Sequence, residues 1–370
     1  MPKSASEVVL LGAGDIGPVH APIDQYSTLV QPTLATADIR FGNCERQYSR
    51  RGVHNYQSPH GCQPPEMAKI FTDCGFDALS LANNHMLDFG IEPMLDTRAL
   101  MIEKGIQVTG AGKNIEEARQ PAIVERNGVR VAFLAYSSVF PPKGEAGPNT
   151  PGLAPLRVKT YHEMREVSMP PKVVSFAWDE DLKAILSDIA AARRKADIVV
   201  LSLHWGVIWI PRIIADYQPV VAHAAIDAGA DLILGHHAHV PKAIEVYKGK
   251  VCFYSLSNFC MTKPFPNEAW SEPVWSVGSV PSYTELDPEY PLLPYGKDGK
   301  RSLLARAVLS KKGISRVSFL PMMIDKKYRP EVLHHGDSRF DDAVKYMDWT
   351  SDGFKHRFSV EGDEVVIGEP

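Results

Sequence analysis

Ala230-Asp231-Leu232-Ile233-Leu234-Gly235-His236-His237-Ala238-His239 is the stretch that decides the fold. Its apolar run reads as a buried strand, and three imidazoles in four residues follow at the C-terminal end. Such a cluster has little use in packing, whereas imidazole is a common ligand of transition metals. Asp197-Ile198-Val199-Val200-Leu201-Ser202-Leu203 ends the same way, at His204-Trp205-Gly206. Phe76-Asp77-Ala78-Leu79-Ser80-Leu81 ends at Ala82-Asn83-Asn84-His85, and Val8-Val9-Leu10-Leu11-Gly12-Ala13 runs into Gly14-Asp15. Taken singly, a His after a strand is an ordinary rim residue, and Asn-Asn or Gly-Asp an ordinary turn. Together they place metal-ligating groups where α/β sheets build their sites, at the carboxyl ends of strands.

Outward from these strands the pattern alternates. Ile39-Arg40-Phe41-Gly42-Asn43 is a strand that delivers Glu45. Thr28 to Ala37, Gln63 to Cys74, Glu92 to Lys104, Asp179 to Arg194 and Tyr217 to Ala228 read as helices. Asn127-Gly128 is a hairpin signal between Ala122-Ile123-Val124-Glu125 and Val129 to Tyr136. Lys248-Gly249 turns a second hairpin. Alternating strands and helices imply an α/β fold, and the hairpins make its sheets mixed rather than wholly parallel. One domain over residues 1–370 is expected, with C-terminal strands and a helix over 303–370.

Two segments break the rhythm, at about 140–174 and 264–300. Both are rich in Pro, and the second carries Trp270, Trp275, Tyr283, Tyr290 and Tyr295. Aromatic residues are costly in a free linker and useful in a pocket wall, so both read as surface insertions. Lids and plain covering loops are equally compatible with that composition.

The bulk numbers exclude several classes. A formal net charge of −4 over 370 residues offers no field for nucleic acid. No apolar run reaches membrane-spanning length. Met1-Pro2-Lys3-Ser4-Ala5-Ser6-Glu7 carries no apolar signal region, so a cytoplasmic location is expected. The five cysteines, Cys44, Cys62, Cys74, Cys252 and Cys260, are odd in number and irregular in spacing, which fits reduced thiols.

The blocks Gly14-Asp15, Asn43-Cys44-Glu45, Ala82-Asn83-Asn84-His85, Leu203-His204-Trp205-Gly206, Gly235-His236-His237-Ala238-His239 and Tyr254-Ser255-Leu256-Ser257-Asn258-Phe259 occur in this order. They resemble the signature blocks of the CapA family of capsule and poly-γ-glutamate synthesis proteins, which is related to the calcineurin-like metallophosphoesterases. The resemblance covers roughly residues 8–260. It implies two mixed β-sheets flanked by helices, an α/β/β/α sandwich. It also implies one or two divalent transition metal ions, Mn, Fe or Zn, at the sheet edge. Asp15, Glu45, Asn84, His204, His237 and His239 then resemble the ligands, and His85 the proton-transfer imidazole. Asp15 and Glu45 count with His85 as candidate catalytic residues. Asn258 is expected to line the site. Arg46, His54 and His60 lie in a basic run after the Glu45 strand that reads equally as phosphate-binding cations or as a solvated loop, and His236 is a further candidate for substrate contact. Three positions depart from the pattern: Gly17 stands where phosphoesterases place a His, Ile208 where the family often has Glu, and Ser257 where it has Gly.

Carboxylate, amide and imidazole donors suit Mn, Fe or Zn better than Ca. The leading expectation is a metal-dependent hydrolase of phosphoester type acting on a small-molecule or peptide substrate. The same parts serve a lyase, epimerase or amide hydrolase on an organic acid, and fold does not decide between them. A non-enzymatic part in polymer synthesis is the third expectation.

Overall fold

The computed structural model describes residues 7–53, 62–164, 166–168, 171–263 and 287–370. Two mixed sheets pack face to face. The larger has ten strands, with Val8–Gly17 at its centre. Ile39–Cys44, Ala78–Ser80 and Gln107–Thr109 follow on one side of it, each parallel to its neighbour. Arg301–Ser310 pairs antiparallel on the other side, followed by Gly313–Ile324. The second sheet has six strands, in the order Ile244–Tyr247, Lys250–Phe253, Leu232–His236, Ile198–His204, Val129–Ser137, Ala122–Arg126.

The continuous apolar run of the first strand follows from burial on both faces. Val8 and Leu10 enter the core between the sheets, and Val9 and Leu11 enter the core behind. Phe41 and Phe133 stack across the middle layer with ring centroids 4.7 Å apart. Helix Ile91–Glu103 covers the back of the larger sheet through Met94 and Met101. Helices Asp179–Arg193 and Tyr217–Asp227 cover the back of the smaller one through Ile185, Ile189, Val221 and Ala225. The result is the expected arrangement of two mixed sheets flanked by helices. Helix Ser338–Ser351 adds Phe340, Ala343 and Met347 to the middle core.

The Asn127-Gly128 turn has φ of 51° and 74°, the left-handed pair that a two-residue hairpin loop requires. The segment at 140–174 contains regular structure. Gly152–Leu153 pairs with Ala111–Gly112, and Leu153, Ala154 and Leu156 are buried. Val158–Glu163 and Lys172–Ala177 form a two-stranded antiparallel ribbon. Its side chains are largely exposed, so the one-sided alternation that marks a strand is missing. Within the other insertion, Trp270, Trp275 and Tyr283 fall outside the described residues, whereas Tyr290, Leu293 and Tyr295 pack with Met261 and Ile324. A C-terminal hairpin, Arg357–Glu361 with Glu364–Gly368, joins the larger sheet. Among the described residues, no helix is long and apolar enough to cross a membrane.

Candidate metal centre

The carboxyl ends of both sheets meet at one edge. Gly14 makes the meeting possible, because a Cβ there would lie 2.0 Å from the Ser257 carbonyl oxygen. That carbonyl accepts the Asp15 backbone N–H at 2.9 Å. The Asp15 side chain takes the Asn43 amide N–H on Oδ1 at 2.9 Å and the His237 backbone N–H on Oδ2 at 3.2 Å. His236 Nδ1 and His239 Nδ1 each stand 3.4 Å from an Asp15 oxygen.

Glu45 lies opposite. Its Oε1 is 3.6 Å from His204 Nε2 and 3.7 Å from His239 Nε2. His204 Nε2 is also 2.7 Å from Asn84 Oδ1, and the His204 and His237 rings are 4.8 Å apart. Atoms bonded to one ion at about 2.1 Å stand about 3–3.5 Å from each other, so these separations suit a shared cation. Ligand atoms of Asp15, Glu45 and His204 lie within 4.8 Å of one another, and all three residues are buried.

Both Glu45 carboxylate oxygens are buried without a hydrogen-bond partner, as is His237 Nδ1. A solvent-free carboxylate in that state carries a large desolvation cost. Burial, and then the charge of Asp15, push the Glu45 carboxyl well above its usual range. For Asp15 burial acts upward, but His236, His239 and His204 outweigh it and hold the carboxyl below its usual range. Burial drives the imidazoles down, to about 4 for His237 and about 3 for His239, with His204 also well below the ordinary value. The cluster therefore presents neutral imidazole lone pairs and crowded carboxylates, a donor set suited to a divalent cation. Asn258 Oδ1 accepts from His239 Nδ1 at 2.8 Å, which leaves the lone pair on Nε2, the atom facing Glu45.

His85 stands at the rim. Its Nδ1 meets Asp88 Oδ2 at 2.9 Å, and its Nε2 lies 3.1 Å from Asn84 Nδ2. Burial lowers its pKa, and Asp88 opposes that shift. Asp88 carried no signal in the sequence beyond standing three residues after His85.

The residues expected to contact substrate have varied placements. His236 is fully buried, its Nδ1 3.4 Å from Asp15 Oδ1. Asn258 spends its amide on the carbonyls of His239 and Gly299, at 3.2 and 2.9 Å, and so positions a ligand rather than facing outward. Arg46 is buried beside Glu45, with Nε 3.4 Å from the Gly17 carbonyl and Nη2 3.2 Å from that of Thr262. His54 and His60 lie outside the described residues. His20 Nε2 is 2.8 Å from the Lys263 carbonyl. Tyr295, read earlier only as part of an aromatic segment, stacks on His239 with centroids 4.2 Å apart. A surface groove between Lys113–Arg119 and helix Asp179–Arg193 holds none of these groups.

His237, His239 and Ser257 adopt positive φ, at 90°, 54° and 66°. Strained backbone of this kind gathers where a site imposes its own geometry. At Ser257 the side chain gains nothing from the strain, because its buried Oγ has no hydrogen-bond partner. Ser257→Gly is therefore expected to raise unfolding stability by about 1 kcal/mol, the usual cost of a left-handed non-glycine residue. Denaturant midpoints of the two proteins measure it, and an unchanged midpoint refutes it.

Comparison with known proteins agrees with the blocks read in the sequence. The family model described as bacterial capsule synthesis protein PGA_cap matches residues 11–263. The PGA biosynthesis protein CapA of Bacillus subtilis (strain 168) is 32% identical over 241 residues, 64% of this chain and 56% of the relative. The capsule biosynthesis protein CapA of Bacillus anthracis is 34% identical over 238 residues, 62% of this chain and 52% of the relative. The match thus spans little more than half the length of these curated relatives. Among solved structures, the calcineurin-like phosphoesterase YfkN from Bacillus subtilis aligns over 95% of this chain and 98% of its own, at 12% identity and a TM-score of 0.45. With most of its length matched by the family model, the chain belongs to the bacterial capsule synthesis protein PGA_cap family.

Proposed function

We propose that the chain is a metal-dependent hydrolase of phosphoester type acting on a small organic substrate. The observation that carries this reading is Glu45, a fully buried carboxylate with two partnerless oxygens, ringed by Asp15, His204 and His239. Glu45, Asn84, His204 and His237 would hold a divalent ion on one side, with Asp15 and His239 opposite. Mn, Fe or Zn suits such mixed oxygen and nitrogen donors. When bound, such an ion lowers the pKa of water and polarises a substrate oxygen.

The chain's own groups do the rest. Asp88 holds the proton of His85 on Nδ1 and so fixes Nε2 as the atom that exchanges a proton with the substrate. Asn43 fixes Asp15, and Asn258 fixes His239. Tyr295 and the turn around Gly299 cover the His239 side, which keeps bulk water from it. The five thiols, all unpaired, suit a reducing cytoplasm.

A second reading keeps the metal and makes the substrate an amide-bearing organic acid or peptide. It is favoured by the names of the relatives, which concern PGA and capsule synthesis. Parallel assays on a generic aryl phosphoester and on a γ-glutamyl amide separate the two. Phosphoester turnover that vanishes on chelation supports the first reading. Amide turnover alone supports the second, and a metal-loaded protein inert on both supports a non-enzymatic part in polymer synthesis.

His237→Ala is expected to remove most of the bound metal while the protein stays folded. Elemental analysis beside a far-ultraviolet circular dichroism spectrum checks it. Unchanged stoichiometry takes His237 out of the ligand set.

A further inference from the structure

Gly17 and Arg46 occupy one volume. A Cβ on residue 17 would lie 2.6 Å from Arg46 Cγ, 3.1 Å from its Nε and 2.9 Å from Met261 Sδ. The missing side chain is thus what admits the Arg46 stem. The guanidinium ends up enclosed, 1% exposed, near enough to Glu45 to oppose the upward push of burial on its carboxyl. Two of its nitrogens are tied to the Gly17 and Thr262 carbonyls, and Nη1 is buried without a partner. Arginine does not lose its charge in proteins, so a permanent cation stands here. Lys263 lies nearby, its Nζ 5.5 Å from the Tyr295 ring centre, but burial pushes its ammonium well below the usual range, so Arg46 is the lasting cation.

We propose that the site holds a single divalent ion, on the side of Asn84, His204 and His237, and that the Arg46 guanidinium supplies the positive charge on the opposite side. The inference rests on the metal-dependent reading above.

Two arguments carry it. The first is the supply of ligands. On the Arg46 side residue 17 offers no side chain, and His20 is engaged with the Lys263 carbonyl. The second is charge. Asp15 and Glu45 are fully buried and together offset one divalent ion. Arg46 then leaves the site with one net positive charge, which an anionic group of the substrate neutralises. A second divalent ion would leave three positive charges in an enclosed space, a costly excess. The unpartnered Nη1 and the unpartnered Tyr295 hydroxyl are both donors suited to that anionic group.

The test is metal stoichiometry, which does not depend on knowing the substrate. Protein is incubated with excess Mn(II) or Zn(II), desalted and analysed for metal per chain. About one ion is expected, lost in His204→Ala and kept in Arg46→Met. Two ions in the wild type overturn the inference but leave the metal-dependent reading standing. No ion overturns both. A single ion that survives His204→Ala and disappears in His239→Ala puts it on the wrong side and also overturns the inference. Calorimetric titration of Arg46→Met with Mn(II) is expected to reveal a second, weaker binding event, since the stem volume is kept and only the charge is removed. A single event there shows that Arg46 is not what excludes the second ion.

Discussion

His85→Ala is expected to keep its bound metal and to lose turnover by about 10²–10⁴-fold, the usual worth of a positioned acid or base. His85 sits beside the cluster, and its Nδ1 is committed to Asp88 at 2.9 Å. Its Nε2 meets the amide nitrogen of Asn84, not a carboxylate of the cluster. It is thus placed to move a proton, with Asp88 stabilising the charged ring. Metal content and rate measured on the same variant decide the matter. Loss of metal with activity makes His85 a ligand, and full activity returns it to a hydrogen-bonded rim residue. Asp88→Asn offers a finer check. Asp88 raises the His85 pKa against burial, so its loss is expected to move the His85 limb of the pH–rate profile to lower pH.

Glu45→Gln is expected to abolish tight metal binding and, at the same time, to stabilise the metal-free protein. The two effects share one cause. Without a cation, Glu45 and Asp15 are neighbouring buried carboxylates, and Glu45 is pushed up by burial and by that neighbour. Its elevated pKa means that the metal-free fold favours the protonated form. The stability it contributes is present at low pH and is lost as pH rises from the unfolded value through the folded one. A neutral amide removes that loss. Wild-type protein with metal at a hundred times its Kd gains about 2.7 kcal/mol over the chelated form. At about 2.1 cal/mol/K per residue, that is roughly 3 °C in Tm for a chain of 370 residues. Chelator is expected to lower the wild-type Tm by this amount or more and to leave Glu45→Gln unmoved. A variant that still melts lower with chelator shows that Glu45 is not needed for the ion.

The strands that build the site were legible in the sequence because they are buried on both faces. Such strands leave unbroken apolar runs, and the polar residue that ends each run then stands out, as His204 and Asp15 do. The ribbon of Val158–Glu163 and Lys172–Ala177 left no such trace, because its pairing is held by backbone hydrogen bonds in exposed chain. Arg46 was legible as a cation near Glu45 but not as a buried one. Its enclosure depends on Gly17 and Thr262, residues that only the fold brings to it. The stacking of Tyr295 on His239 has the same origin, a contact across 56 positions that no local pattern encodes.

The first strand also sets a timetable for synthesis. Val8–Gly17 is hydrogen-bonded to Asn258–Met261 and Arg301–Ser310, and Asp15 closes on Ser257. A ribosome working at about 5–20 residues per second takes roughly 12–50 s to travel from one to the other. Throughout that interval Val8–Gly17 carries an open edge. That apolar strand needs shelter from its neighbours on the polysome until Asn258–Met261 and Arg301–Ser310 arrive to pair with it.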